Sequence, residues 1–318
     1  MAPTQRFALV TGCAHGGIGE ALANEFVAQG LHVIATVLPG ESREHIDSSS
    51  ITPFDLDVTK EESVVSLKQH VVDLTAGSLD VLVNNAGICK CPRYTMTAID
   101  TDVRAVQKMF EVNVFGPMRM VHHFHDLLIR AGGAIVNIGS IGGLIPYPYG
   151  GKSLDPTRKT SYNASKSALI HYGNTLRLEM APLGVRVINV SVICSENDNA
   201  PEADIPQIIS GEVGTNILKG DAHRELPAGS YYAPLAEEFK AHVRRTPDTT
   251  DRFVYARRVV AQSLKSRPPA WAFIGNVTGL VRFFDIFGFR RVWDYIFWSM
   301  FNFSKLKEEN LKRVKKNL

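Results

Sequence analysis

The chain predicts a parallel, doubly wound α/β sheet, and three observations lead there. Short apolar runs alternate with helical patterns as far as Val190. The first run passes into a glycine-rich turn that opens a helix. The polar motifs fall where apolar runs end, and ligands of parallel sheets bind at the carboxyl ends of strands.

The elements follow in order. Arg6-Phe-Ala-Leu-Val10 is a first strand, ending in Thr11-Gly12. A helical pattern runs from Gly19 to Gln29, and Gly30 stops it. Leu31 to Val37 reads as a second strand, Ile51 to Leu56 as a third and Leu79 to Val83 as a fourth. A long helix starts at Val103, passes Phe115 and continues to Ile129. Ala134 to Ile138 is a fifth strand, ending at Gly139-Ser140. A helix then carries Tyr162 and reaches Ala181, and Val185 to Val190 is a sixth strand. The organisation is one α/β domain over residues 5–265, then an aromatic helical extension with a basic tail over 266–318.

Composition narrows the function classes. Lys and Arg number 35 against 32 Asp and Glu, and a net charge of +3 makes no case for a nucleic-acid partner. Cys13, Cys89, Cys91 and Cys194 form no Cys-x-x-Cys pair, and Cys89-Lys-Cys91 is too tight for a zinc site. The reading is reduced thiols in a reducing compartment, with no metal. The chain enters its first strand without an apolar signal segment.

The motifs carry the chemistry. In Thr11-Gly-Cys-Ala-His-Gly-Gly-Ile-Gly19, Gly12, Gly17 and Gly19 permit a tight turn and close approach of backbone to a pyrophosphate. The helix that follows, entered through Ile18, adds free N–H groups and the positive end of its dipole. The alternative is a βα turn without a ligand. Asp55-Leu-Asp57-Val58 follows the third strand, where a carboxylate meets an adenine amino group, or else Asp57 caps the next helix with Thr59. Asn84-Asn-Ala-Gly87 ends the fourth strand, and its small residues let Asn85, Ala86 and Gly87 lie against a cofactor. Ser140 stands where a substrate carbonyl would meet it. Tyr162-Asn-Ala-Ser-Lys166 puts a phenol and an ammonium on one helix face. A nearby ammonium favours phenolate, which suits the phenol to proton exchange near neutral pH.

Together the Thr-Gly glycine loop, Asn-Asn-Ala-Gly, Asn113 in Val-Asn-Val, Ser140 and the Tyr162/Lys166 pair resemble the short-chain dehydrogenase/reductase family, over residues 5–220. The resemblance implies a single Rossmann-type domain that binds a nicotinamide dinucleotide. It implies that Tyr162 gives a proton to a carbonyl oxygen in reduction, or takes one in oxidation. Lys166 then lowers the tyrosine pKa and holds the ribose hydroxyls, Ser140 bonds the substrate oxygen, and Asn113 holds a water of the proton relay. Val213 and Thr215, in Ile209-Ser-Gly-Glu-Val-Gly-Thr215, resemble the segment that covers the nicotinamide, without its usual proline. The second strand ends Thr36-Val37-Leu38-Pro39, with no acid for a ribose 2′-hydroxyl, which favours NADP(H) over NAD(H). Arg43 and His15 are the candidate readers of a 2′-phosphate.

The tail, Pro247-Asp-Thr-Thr-Asp-Arg-Phe-Val-Tyr-Ala256 and then Pro268-Pro-Ala-Trp271, resembles fungal-type NADPH-dependent 1-acyldihydroxyacetone-phosphate reductases. That implies reduction of a ketone on a small lipophilic substrate, 1-acyldihydroxyacetone phosphate first. A polyketide, terpene or steroid-like secondary metabolite is the second expectation. A catalytically weak cofactor-binding scaffold is the competitor from another class. The family also implies a homo-oligomer.

Two segments depart from the family. Ser140 and Tyr162 stand 22 positions apart, farther than usual, through the polar stretch from Lys152 to Ser161. A displacement of the tyrosine helix by about 1 Å would cost on the order of a hundredfold in rate. Residues 190–207 are either an acidic loop over the pocket or a retained intron, since Val-Ser and Gln allow splice-donor and splice-acceptor codons.

Between Asp285 and Phe303 a broadly apolar helix is expected, with Arg291, Asp294 and Asn302 on one stripe. Lys305, Lys307, Lys312, Arg313, Lys315 and Lys316 follow it. The pattern suits an interfacial helix on anionic lipid, peripheral to the cytoplasmic face of the endoplasmic reticulum or a lipid droplet, rather than a span. The alternative is a cytosolic protein whose tail packs over the substrate pocket or at a dimer interface.

Overall fold

The structure, a computed structural model, describes residues 5–46, 48–88, 97–146, 159–192, 212–213, 226, 229–243, 249–274 and 291–316. Apolar strands alternate with amphipathic helices. The order is β1 (Phe7–Val10), α1 (Ile18–Ala28), β2 (His32–Val37), β3 (Ile51–Asp55), α2 (Glu61–Thr75), β4 (Val81–Asn84) and α3 (Val103–Phe110). A π-helical turn (Glu111–Phe115) leads from α3 into α4 (Gly116–Ala131). Then come β5 (Ala134–Ile138), α5 (Lys159–Met180), β6 (Arg186–Val192), β7 (Glu212–Val213), α6 (Ala236–Val243), β8 (Thr249–Thr250), α7 (Arg252–Ser263) and β9 (Trp271–Ile274). Two further helices close the chain: α8 (Val292–Met300) and α9 (Phe303–Lys316).

Seven strands form one parallel sheet in the order β3-β2-β1-β4-β5-β6-β9. Its strands are nearly all apolar because helices cover both faces. On one face α1 and α7 pack Leu22, Phe26, Tyr255 and Val259 against Val10, Val33 and Val83. On the other, α2, α4 and α5 pack Leu67, Phe124, Leu128 and Leu176 against Leu9, Leu82 and Ile135. The strand order reverses between β1 and β4, and a crevice at such a switch point is where open α/β sheets bind ligands.

The expected strands all form, within two residues of their predicted ends. The seventh strand, β9, pairs with β6 from beyond the residue-265 border, so the sheet extends to Ile274. Trp271 and its neighbours had no alternating pattern to reveal a strand. Residues 190–192 complete β6, and Val190 is fully buried between β5 and β9. Residues 193–207 lie outside the described residues, as do 152–158 of the stretch before Tyr162.

Of the apolar helix expected between Asp285 and Phe303, residues 285–290 lie outside the described residues and the remainder forms in part. Among the described residues, α8 covers only Val292–Met300. Asn302 then takes a left-handed conformation, φ 53°, and the chain turns into α9. The lysine cluster is therefore helical. No helix among the described residues is long and apolar enough to cross a membrane.

Candidate active site

The glycine loop is built by contacts between strand ends. Thr11 donates through Oγ1 to Val83 O at 3.1 Å and accepts there from Asn85 N and Ala86 N at 3.0 and 2.9 Å. Asn85 returns its side-chain amide to Thr11 O and Gly12 O at 2.8 and 3.0 Å. The Asn-Asn-Ala-Gly turn and the glycine loop are thus buckled together. Gly12 has φ +74°, and a Cβ there would sit 2.8 Å from Ala86 Cα. A Cβ on Gly19 would strike the Gly12 carbonyl. Both positions therefore require glycine.

Helix α1 opens behind the extended N-cap Gly17, and no side chain caps its first turn. Those N–H groups face the loop with no side-chain acceptor, which is the donor set a pyrophosphate needs. The loop residues thus fit a dinucleotide. Glu20 supports the loop from behind: its carboxylate accepts from Gly16 N at 2.7 Å and pairs with Arg252 of α7 at 3.0 Å. Sequence reasoning missed both residues, because their pairing depends on α7 lying against α1. Burial pushes the Cys13 thiol up to about 12.

The remaining nucleotide candidates sit at the same edge. Asp57 Oδ1 accepts from Thr59 N and Oγ1 at 2.9 and 2.7 Å, a local turn just ahead of α2, whose N-cap Lys60 makes no side-chain cap bond. Val58 is buried against Gly116 of α4. Past β2, Leu38 is exposed, and its N–H donates to the Glu41 carboxylate at 3.4 Å. Arg43 is ion-paired with Asp55. The rings of His15 and His45 lie 5.2 Å apart, and His45 Nε2 bonds Cys13 O at 2.7 Å. His45 joined His15 only through the fold. Val213 pairs with Thr250 in a second, two-stranded sheet, and Thr215 lies outside the described residues.

Ser140 ends β5 and caps a single 3-10 turn, Ile141–Gly143. Its Oγ accepts from Gly142 N at 3.2 Å, which leaves the hydroxyl hydrogen for another partner. This turn lies directly on the start of α5: Ser167 Oγ donates to Gly143 O at 2.7 Å. Tyr162 and Lys166 share the α5 face as expected, and Lys166 Nζ stands 5.6 Å from the Tyr162 ring centre. Lys166 is 5% exposed, donates to Ile138 O at 2.7 Å, and borders Gly87.

Asn113 sits in the π-helical turn. Its Oδ1 accepts from Ile88 N at 2.8 Å, while Nδ2 donates to Ile88 O at 2.8 Å and Ser165 Oγ at 3.1 Å. Ser165 in turn donates to Tyr162 O at 2.7 Å. The structure therefore brings Asn113, Ser140, Tyr162, Lys166 and Gly87 together. A π-turn re-aims one residue of a helix, and such turns recur at functional sites.

The fold and this group of side chains define an oxidoreductase of the nicotinamide-dinucleotide type. The short chain dehydrogenase family profile matches residues 6–203. The short-chain dehydrogenase virD of Hypocrea virens is 58% identical over 318 residues, covering 100% of both chains. The NADPH-dependent 1-acyldihydroxyacetone phosphate reductase of Schizosaccharomyces pombe is 42% identical over 187 residues, 58% of each chain. A short-chain dehydrogenase from Streptomyces avermitilis shares the fold with TM-score 0.66 at 22% identity, covering 100% of this chain and 99% of the other. One from Burkholderia cenocepacia, solved with NADP, superposes with TM-score 0.63 at 22% identity over 93% and 99% of the two chains. The chain belongs to the short-chain dehydrogenase family.

Proposed function

We propose that the protein reduces a ketone on a lipophilic secondary metabolite of polyketide, terpene or steroid-like type, with NADP(H) as hydride carrier. One observation carries the substrate class. The residues that follow Ser140, namely Ile141, Leu144 and Ile145, are roofed by Trp293, Phe297 and Phe301 of the C-terminal helices. A wall of aliphatic and aromatic side chains beside the reacting oxygen suits an apolar ring system.

The phosphate-bearing substrate recedes on two grounds. Likeness to the acyldihydroxyacetone phosphate reductase spans just over half of each chain, whereas likeness to virD spans the whole of both. The wall named above also offers no cation to a phosphate. For the cofactor, the lack of an acid at the end of β2 itself and the His15–His45 pair support NADP(H). Arg43 is a weaker reader than expected, since Asp55 already pairs with it.

In this reading the bound nicotinamide supplies the hydride. Ser140 gives its free hydroxyl hydrogen to the substrate oxygen, and Tyr162 transfers the proton as charge develops there. Lys166 supplies the positive field beside the phenol and bonds the ribose. The Asn113 amide hydrogens are already occupied by Ile88 and Ser165, so a relay water there bonds a carbonyl oxygen instead.

The test is cofactor oxidation with a panel of polycyclic ketones, simple ketones and acyldihydroxyacetone phosphate, under NADPH and NADH. The reading expects NADPH turnover with polycyclic ketones. Turnover of the phosphate ester alone would restore the lipid assignment.

The outward face of α8 supports a second reading, peripheral contact with a cytoplasmic membrane or lipid-droplet surface. Tyr295 and Trp298 are 76% and 48% exposed there, and basic α9 follows. Flotation with anionic vesicles, lost in a Tyr295→Ser, Trp298→Ser variant, checks it.

A further inference from the structure

We infer that a row of buried asparagines sets the depth and register of the catalytic helix, so that Asn137, Asn189, Gly173 and Asn174 are positioning residues for the reaction. The inference rests on the family's use of Tyr162 and Lys166, not on the substrate proposed above.

Asn84 on β4 lies in register with Asn137 on β5, and Asn137 with Asn189 on β6. All three are at most 2% exposed. Their amides form a head-to-tail chain across the sheet. Asn84 Nδ2 donates to Asn137 Oδ1 at 2.9 Å, and Asn137 Nδ2 to Asn189 Oδ1 at 3.3 Å. Asn189 Nδ2 then leaves the sheet and donates to Asn174 Oδ1 of α5 at 3.0 Å. A longer bond from the same nitrogen reaches Ile170 O at 3.5 Å.

Such a row is expensive in a sheet otherwise covered by apolar side chains, because each unpaired amide would carry its full desolvation cost. Asn84 Oδ1 has no partner among the described residues, but the amides of Asn137 and Asn189 are satisfied only when α5 lies at one depth. Gly173 makes that depth reachable. A Cβ at this position would lie 2.8 Å from Asn137 Nδ2 and nearer still to Asn189 Oδ1.

The row connects to the reacting groups at Asn84, Asn137 and Asn174. Asn84 precedes the turn that holds Gly87 against Lys166. Asn137 precedes Ile138, whose carbonyl accepts from Lys166. Lys166 stands eight residues before Asn174 on the same helix, about 12 Å along its axis. The helix is therefore seated downstream of Tyr162.

The experiment compares Gly173→Ala, Asn174→Leu and Asn174→Asp with Val259→Ala, a core truncation between α1 and α7 that serves as a stability control. Turnover is followed with NADPH and 4-nitroacetophenone. The Tyr162 phenol is titrated in the NADPH-bound protein by the tyrosinate absorbance that disappears in the matching Tyr162→Phe background. Gly173→Ala and Asn174→Leu are expected to lower kcat about a hundredfold and to move the Tyr162 midpoint. Asn174→Asp, which keeps the acceptor for Asn189, restores both. Wild-type titration in Gly173→Ala and Asn174→Leu, with only the lowered Tm that Val259→Ala also shows, overturns the inference. Should one of them fail to fold, the other decides. The titration needs no substrate, so failure of the ketone reading leaves this test intact.

Discussion

The nucleotide-binding sheet and the C-terminal helical pair are held by different forces. Seven parallel strands fix the sheet through in-register backbone bonds, and two continuous cores cover it. Helices α8 and α9 have no such framework and are short enough to be marginal alone. They are seated by one patch, in which Trp293, Phe297 and Phe301 pack on Ile145, Leu235 and Phe239. Lys305 and Asn302 add polar bonds to Glu238 at 2.6 and 3.2 Å. The rigid region carries the chemistry. The apolar wall proposed for the substrate rests on the region whose seat is easier to disturb. The two should therefore fail separately, and four measurements test that separation.

The largest effect belongs to the sheet region. Tyr162→Phe is expected to lower kcat by about 10²- to 10⁴-fold while NADPH binding stays unchanged. Unchanged turnover would remove the tyrosine from its assigned role. Gly19→Ala comes next. Its Cβ enters the space of the Gly12 carbonyl. Strain of about 1–3 kcal/mol in the loop predicts a loss of about 5- to 150-fold in cofactor affinity by fluorescence titration. An affinity equal to wild type would mean that the loop yields more readily than its contacts imply.

In the extension, Trp293→Ala removes a side chain that is 4% exposed and stacked on Phe297 at 5.7 Å. The local cluster loses about 3–5 kcal/mol. The expected result is a fall of about tenfold in kcat/KM for bulky ketones, with simple ketones and NADPH affinity spared. Equal losses for all ketones would tie the extension to the chemistry and erase the contrast.

The smallest effect is acid loosening of the same seat. Burial tends to raise the Glu238 carboxyl, but bonds from Lys305 and Asn302 leave it below the usual carboxylate range. A carboxyl lowered in the folded state contributes stability above its unfolded pKa of about 4.3 and loses it as pH falls through the folded value. Tryptophan emission should therefore report loosening of α8 below about pH 4, and Glu238→Gln should flatten that dependence. An identical acid profile in the variant would assign the loosening to another group.

Legibility differed between the regions for the same physical reason. Gly12, Gly19, Ser140, Tyr162 and Lys166 could be found because strand ends and helix faces fix the spacing of residues that meet one ligand. Asn113 was found by family resemblance, and its bonds to Ile88 and Ser165 became visible only in the fold. Glu20, Arg252 and His45 left no trace in spacing, since their partners are distant in the chain. The aromatic tail showed its apolar stripe but not which surface covers it. An amphipathic face packs on lipid, a second subunit or its own domain with one and the same pattern.

The amino-acid order alone determined the parallel sheet, the dinucleotide loop and the tyrosine–lysine pair, because local periodicity and turn chemistry are written in neighbouring residues. Only the tertiary structure decided that the tail roofs the segment after Ser140 and that asparagines from three strands meet Asn174. Those contacts join residues far apart in the chain, and their energy exists only once the sheet has brought them within reach.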